Sequence, residues 1–408
     1  MAESSGVYLP SSSRTWMHPW RNISRLTSCQ DWVTLTGAAR MFIFSTCQVG
    51  AEAVFKKEIA RMFPGMRSAF ARPGFVSFKA ETMPEVLLPL NFAERSIFAR
   101  TAALSLGKVE TDQPDRLVTE VWKIAADHHL FVNRVHVFQR DPLLTREQDF
   151  EPHIPPEHIP PELVQLHRQI IEQSPKAKFL GTGAEDIFCP AKSGETVLNV
   201  VRIEPNLFFV GTHIVTDESP IQTRYSGGIL PIALPADAVS RAYFKFNEGF
   251  LWSGIPLGSG DRCLDIGASP GGCSQFLLQQ GVRVVGVDPG AIHPVVLNHP
   301  HFTHIRSRVK NIKQSLFHDV RWITADMNVA PNYTLDVLEE AVAKGNGSVR
   351  GLLFTLKLIR WELADKLPAL FDRIRTWGFT EIRMKQLLFN RQEVMAAAFR
   401  ACHKRRER

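Results

Sequence analysis

The chain has 408 residues, enough for two or three domains with buried cores, and its 44% hydrophobic and 22% charged residues are ordinary for a globular protein. No run approaches the roughly 18 apolar residues a membrane span needs. The six cysteines (Cys29, Cys47, Cys189, Cys263, Cys273, Cys402) form no CxxC pair, which argues against a disulfide framework and a structural zinc and for reduced thiols in the cytoplasm. A formal charge of +7 and the ending "RACHKRRER" favour a polyanionic partner.

Residues 1–40 are Ser/Arg-rich, poor in acids, and carry Trp16, Trp20 and Trp32. They read as a disordered extension, an organellar transit peptide, or sequence upstream of a true start at Met41. From Met41, "MFIFSTC" predicts a strand, "GAEAVFKKEIARMFP" an amphipathic helix and "GFVSFKA" a second strand, a small α/β unit over 41–90. A strand in "RSIFARTAALSLGKVE", a helix in "PDRLVTEVWKIAADHH" and a strand in "FVNRVHVFQRD" follow. Residues 141–162, with "EPHIPPEHIPPE", predict a Pro-rich loop. Then come a helix in "ELVQLHRQIIEQ" and two strands turning at Glu204–Pro205–Asn206. From about residue 231 to 408, the apolar strands "RCLDIG", "RVVGVD", "DVRWITAD" and "GLLFTLKL" alternate with helices, the pattern of a Rossmann-like, doubly wound parallel sheet.

"LDIGASPGG" (264–272) joins a predicted strand to a predicted helix over 273–280. Gly267, Gly271 and Gly272 permit a tight turn and close approach of a ligand, and Asp288 ends the next strand, where an acid accepts ribose hydroxyls. The pattern is not G-x-G-x-x-G, and no Gly-Lys-Ser/Thr makes it a P-loop. Pro270 removes a backbone donor, a poor feature for cradling pyrophosphate. S-adenosylmethionine, with a ribose and no phosphate, fits best; a nucleotide and an unoccupied structural turn stay open.

Four charged residues accompany the turn: Lys245, Asp326, Lys357 and Glu393. A lysine within the apolar run "LLFTLKL" is costly unless paired. Asp326 and Lys357 both fall at carboxyl ends of predicted parallel strands, where such sheets place ligands. Each has an ordinary alternative as a surface charge or a helix cap. Methyl transfer from a sulfonium to a sugar hydroxyl needs no metal but does need a base. A lysine serves if its pKa falls towards ~7–8. A second ammonium about 4 Å away costs roughly 4 kcal/mol at an effective dielectric near 20, enough to depress one lysine. This assigns Lys357 as general base, Lys245 as its cationic neighbour, and Asp326 and Glu393 as positioning groups.

"LDIGASPGG", "VVGVDPG", "ITADM" and "FTLKL" resemble the FtsJ-like ribose 2′-O-methyltransferases, whose Lys-Asp-Lys-Glu tetrad matches Lys245, Asp326, Lys357 and Glu393. The resemblance is nearest to the RlmM type, which methylates a cytidine ribose of 23S ribosomal RNA. It runs through "FARPGFVSF", "SIFAR", "LPADAVSRAYFKFNEGF" and "RMKQLLFNRQEV". It implies a ferredoxin-like segment over 41–90, a THUMP-like RNA-binding domain over 91–230 and a methyltransferase domain over 231–408. It also implies that Ser240, the turn Ser269–Gly272, Asp288 and Asp326 contact S-adenosylmethionine, and that ribosomal RNA or a large-subunit precursor is the partner, with no metal and no membrane.

One departure stands out. Where such enzymes carry an acid for the adenine amino group, this chain has "HIRSRVKN", with Arg308 at the equivalent place, and a guanidinium cannot accept that bond. Arg308 keeps a second class of function in view, a non-catalytic RNA-binding or ribosome-assembly protein on a methyltransferase scaffold. Base methylation is disfavoured, since neither a cysteine nucleophile nor an Asn/Asp-Pro-Pro-Tyr loop is evident. The spacing of His293, His299, His301 and His304 fits no standard metal site.

Overall fold

The computed structural model describes residues 41–80, 89–141, 159–181, 186–232 and 235–400. The expectations for residues 1–40, for most of the Pro-rich stretch and for the basic C-terminus lie outside the described residues.

The first of two seven-stranded sheets takes β1 (Met41–Thr46), β2 (Met66–Arg72), β3 (Phe75–Ala80), β4 (Ala103–Glu110), β5 (Arg134–Gln139), β6 (Thr196–Glu204) and β7 (Leu207–Ile214), in the order β2-β3-β1-β4-β7-β6-β5. Only β5 and β6 run parallel. Helices α1 (Glu52–Met62), α2 (Pro89–Arg95), α3 (Pro114–Asp127) and α4 (Pro161–Glu172) connect these strands. Two sequence expectations need correction. β2 was not predicted, because "MRSAFAR" is an edge strand exposed over much of its length and lacks a clean alternation. The strands on either side of residue 90 lie in one sheet, since β1 pairs with β3 on one side and β4 on the other. The predicted loop also ends early, as Pro161 opens α4 at a position where a missing N–H costs nothing.

The second sheet takes β8 (Arg262–Ile266), β9 (Arg283–Val287), β10 (Phe302–Ile305), β11 (Val320–Ala325), β12 (Gly351–Lys357), β13 (Glu381–Lys385) and β14 (Glu393–Phe399), in the order β10-β9-β8-β11-β12-β14-β13. Helices α5 (Ala242–Ser253), α6 (Gly272–Gln279), α7 (Pro294–Leu297), α8 (Pro331–Lys344) and α9 (Leu367–Arg375) flank it. The sheet is mixed, not wholly parallel as expected: β14 runs antiparallel to both β12 and β13. After Glu393, "VMAAAF" is apolar because both faces of the strand are buried, so its pattern carries no direction.

One apolar core covers one face of the second sheet (Leu264, Ile323, Phe354) and continues into the first unit (Ile43, Phe55, Phe92). A second core on the opposite face joins Phe250 of α5 and Phe276 of α6 to Val284, Trp322 and Leu353. Sandwiching the strands in this way buries both faces and leaves their carboxyl ends as the place where polar groups gather. Among the described residues no helix is long and apolar enough to cross a membrane.

Candidate active site

The strand ends are brought level by backbone hydrogen bonds: Gly267 N–H to Val287 O (2.9 Å), Asp288 N–H to Ile305 O (3.2 Å) and Asp326 N–H to Ile266 O (3.2 Å). The turn after β8, the acid after β9 and the acid after β11 therefore share one edge.

Gly267 sits at φ +76°, and a Cβ there would meet Asp326 O at 3.0 Å and Met327 Cγ at 2.9 Å. Gly272 answers a different demand. A Cβ there would lie 2.2 Å from Ser240 Oγ and 2.9 Å from both Ser240 O and Tyr243 N, so α6 rests directly on the backbone that leads into α5. Gly271 precedes α6 and packs on Val296 of α7. The Ser269–Pro270 bond is cis. The Asp288 carboxylate accepts Ser269 N–H (3.2 Å) and Gly290 N–H (2.6 Å), and Ser269 Oγ donates to Ala291 O (2.7 Å), which ties the two loops together. Ser240 Oγ is buried and has no hydrogen-bond partner.

The four charged residues form a closed ring of alternating sign. Lys245, on α5, reaches Asp326 Oδ2 at 3.0 Å and Glu393 Oε1 at 2.8 Å. Lys357, the last residue of β12, reaches Asp326 Oδ1 at 2.8 Å and also binds Glu393 Oε2. Glu393 opens β14 directly across from Lys357 in the antiparallel register. Thr355 Oγ1 donates to Asp326 Oδ1 (2.7 Å). The side chains are 8%, 13%, 16% and 4% exposed for Lys245, Asp326, Lys357 and Glu393, so little water weakens the ring.

This geometry brings all four residues together and corrects the expected electrostatics. Burial works to lower the Lys357 pKa, but the carboxylates of Asp326 and Glu393 outweigh it and hold the ammonium above its ordinary range. Each ammonium lies between two acids, so Lys245 does not act as the depressing neighbour that the sequence reading assumed. Burial likewise works to raise Asp326, and the ammonium groups of Lys245 and Lys357 hold its carboxyl well below the usual range.

Several supporting residues escaped the sequence reading. Asn390 Oδ1 accepts Leu387 N–H (3.0 Å), and its Nδ2 donates to Glu393 Oε1 (3.2 Å). Glu248, one helical turn beyond Lys245, accepts Leu388 N–H and Phe389 N–H, both at 3.0 Å. The loop that delivers Glu393 is thereby fixed to α5. Burial pushes Glu248 up to about 7 against those bonds. From the first unit, Arg100 pairs with Asp141 (2.7 Å) and points Nη2 at the carbonyls of Leu387 and Leu388 (3.5 Å each). Asp265, within β8, accepts Ser274 Oγ (2.6 Å) and Thr324 Oγ1 (2.9 Å), and burial pushes it up to about 6. The signals were present: an acid inside an apolar strand and an acid on an apolar helix, each costly unless bonded.

Arg308 is exposed and follows β10, a strand the sequence reading did not predict. The histidines have local partners. The ring of His293 accepts Val295 N–H, that of His299 accepts His301 N–H (3.2 Å), and His304 Nε2 lies 3.0 Å from Asp288 O.

Residues 238–366 match the FtsJ-like methyltransferase family. The FtsJ-like match takes in Ser240, Lys245, the glycine turn, Asp288, Asp326 and Lys357; Glu393 lies beyond its end. Two curated relatives named ribosomal RNA large subunit methyltransferase M are each 31% identical. That from Laribacter hongkongensis aligns over 179 residues (41% of this chain, 49% of the relative), and that from Serratia proteamaculans over 210 (48% and 55%). The chain spans about half the length of the curated relatives it matches. A solved structure of the 16S rRNA (adenine(1408)-N(1))-methyltransferase from Catenulisporales acidiphilia covers 36% of this chain and 89% of its own, at 15% identity and a TM-score of 0.28, too low to bear on function.

Proposed function

We propose that this chain is an S-adenosylmethionine-dependent RNA ribose 2′-O-methyltransferase. Its target is a cytidine of 23S ribosomal RNA or of a large-subunit precursor, in the cytoplasm. The observation that carries the reading is the closed ring of Lys245, Asp326, Lys357 and Glu393 beside the glycine turn of the FtsJ-like domain. The shared name of the relatives supports the substrate class. On the resemblance alone, residues 41–90 are assigned as a ferredoxin-like segment and 91–230 as a THUMP-like region that selects the RNA.

Ser240, Gly267, Ser269, Pro270, Gly271, Gly272, Asp288 and Asp326 are the residues that would hold S-adenosylmethionine. The fit rests on the orphaned, buried Ser240 hydroxyl that lies against Gly272 at the start of α6. When bound, the cofactor supplies an electrophilic methyl group on a positively charged sulfur. The chain's own residues handle the proton. Lys357 begins as an ammonium and must release a proton to solvent; its neutral Nζ then takes the proton of the 2′-hydroxyl, returning it to the ammonium form. Asp326 and Glu393 hold that Nζ in place, and Lys245, bonded to both carboxylates, fixes their position.

The test uses methyl-labelled S-adenosylmethionine and an unmodified 23S transcript. Label is expected in an alkali-stable dinucleotide beginning with cytidine, because a 2′-O-methyl removes the hydroxyl that would attack the adjacent phosphodiester. Label released as a mononucleotide would place the methyl on a base. RNA binding without transfer would favour the non-catalytic alternative.

A further inference from the structure

Between Asp288 and Asp319 the chain carries no acidic residue, yet Arg306, Arg308, Lys310 and Lys313 fall within eight positions. All four are exposed. The segment is not loose decoration. Val309 (4% exposed) and Ile312 (5%) are buried between the cations, Phe317 (0%) is buried just after them, and all three act as anchors. From α8, Lys344 Nζ donates to Val309 O (3.0 Å), Lys310 O (3.2 Å) and Ile312 O (3.3 Å), which pins the turn. The nearby acids are occupied: Glu340 pairs with Lys344 (2.9 Å) and Asp319 with Arg262 (2.7 Å). An apolar-anchored turn that presents cations outward is preorganised, so little ordering cost falls on the bound state.

The turn follows β10, at the same edge as Asp288, and His304 ties the two together. In the strand order, β10 stands three neighbours from β11 and Asp326. At about 4.8 Å per step this is roughly 14 Å. Lys357, on β12, stands one neighbour further, roughly 19 Å away by the same spacing, and a phosphate a few nucleotides from a ribose held there can span that distance.

We propose that the turn of Arg306, Arg308, Lys310 and Lys313 is an RNA backbone-binding surface that grips phosphates flanking the target nucleotide. The proposal rests on the RNA methyltransferase reading and specifies which surface of that domain holds the substrate. It also gives the basic side chains a use where the resemblance anticipates an adenine-binding acid. Phosphate contacts position a nucleic acid without reading its sequence, and their loss shows as weaker, less salt-dependent binding.

The experiment compares the full chain with Arg306→Ala/Lys310→Ala/Lys313→Ala in filter binding to a 23S transcript over a range of salt, with calorimetric titration of S-adenosylmethionine alongside. RNA affinity is expected to fall about tenfold at 0.1 M salt, and the slope of log affinity against log salt to shrink by roughly 2. The KM for RNA rises with it, while kcat and cofactor affinity stay within about twofold of wild type. The charge-preserving Arg306→Lys/Lys310→Arg/Lys313→Arg protein should retain wild-type binding. Unchanged RNA affinity and salt slope would overturn the proposal, as would a loss confined to the cofactor. Wild-type RNA binding without methyl transfer would sink the enzymatic reading and leave this surface standing; no RNA binding at all would sink both.

Discussion

Lys357→Ala is expected to lower the rate of methyl transfer by about a thousandfold, with S-adenosylmethionine affinity held within a few-fold of wild type. The split follows from where the contacts lie. Lys357 touches Asp326 and Glu393 and none of the turn from Gly267 to Gly272. After the change, Asp326 retains Lys245 at 3.0 Å and Thr355 at 2.7 Å, and Glu393 retains Lys245 at 2.8 Å, so neither carboxylate is stranded. What disappears is the Nζ at the end of β12 that is assigned to accept the hydroxyl proton. Single-turnover transfer assays and calorimetry on the same preparation separate the two quantities. Full activity would remove Lys357 from the base role, and a parallel collapse of cofactor binding would make it structural.

Gly272→Ala is expected to destabilise the protein by about 1–3 kcal/mol and to abolish measurable cofactor binding. Helix propensity points the other way, since alanine within a helix is favoured over glycine by about 1 kcal/mol. Contact decides the sign. The added methyl would stand 2.9 Å from the backbone at Ser240 O and Tyr243 N, and those atoms cannot swing aside as a side-chain tip can. Relief requires α6 to move off α5, which carries the turn Ser269–Gly272 away from Ser240 and Asp288. Thermal unfolding and titration with S-adenosylmethionine report both effects. A stabilised variant that still binds cofactor would show that the close approach is dispensable.

The sequence made the second sheet legible because β8, β9, β11 and β12 are short apolar runs that end at Gly267, Asp288, Asp326 and Lys357, a turn glycine and three charged groups at the strand ends where such sheets place ligands. β14 and its direction were not legible, because after Glu393 the run "VMAAAF" is apolar on both faces and carries no period. The identity of the tetrad residues could be read, but their state could not. Whether Lys357 is driven towards neutrality or held charged depends on the order in which the four charges meet, and that order comes from α5 and from the antiparallel pairing of Lys357 with Glu393. Asn390 and Arg100 are not legible for a related reason: each bonds the backbone of the loop before Glu393, and such bonds leave no spacing signature. In the first unit, β1–β3 and β4–β7 merge into one sheet through the short pairing of Ile43 and Phe44 with Leu104 and Ala103, a contact no local pattern announces.

The pH dependence of kcat/KM tests the central claim most directly, since it reports the titration of the free enzyme's base. Because Asp326 and Glu393 raise the Lys357 pKa above the ordinary lysine value, its neutral fraction at pH 7 is small and grows tenfold with each unit. The account predicts that kcat/KM climbs about tenfold per pH unit from pH 7 to 9 without levelling. A plateau reached by about pH 7.5 would mean a base with a near-neutral pKa, and would contradict the assignment of a lysine held charged by two carboxylates.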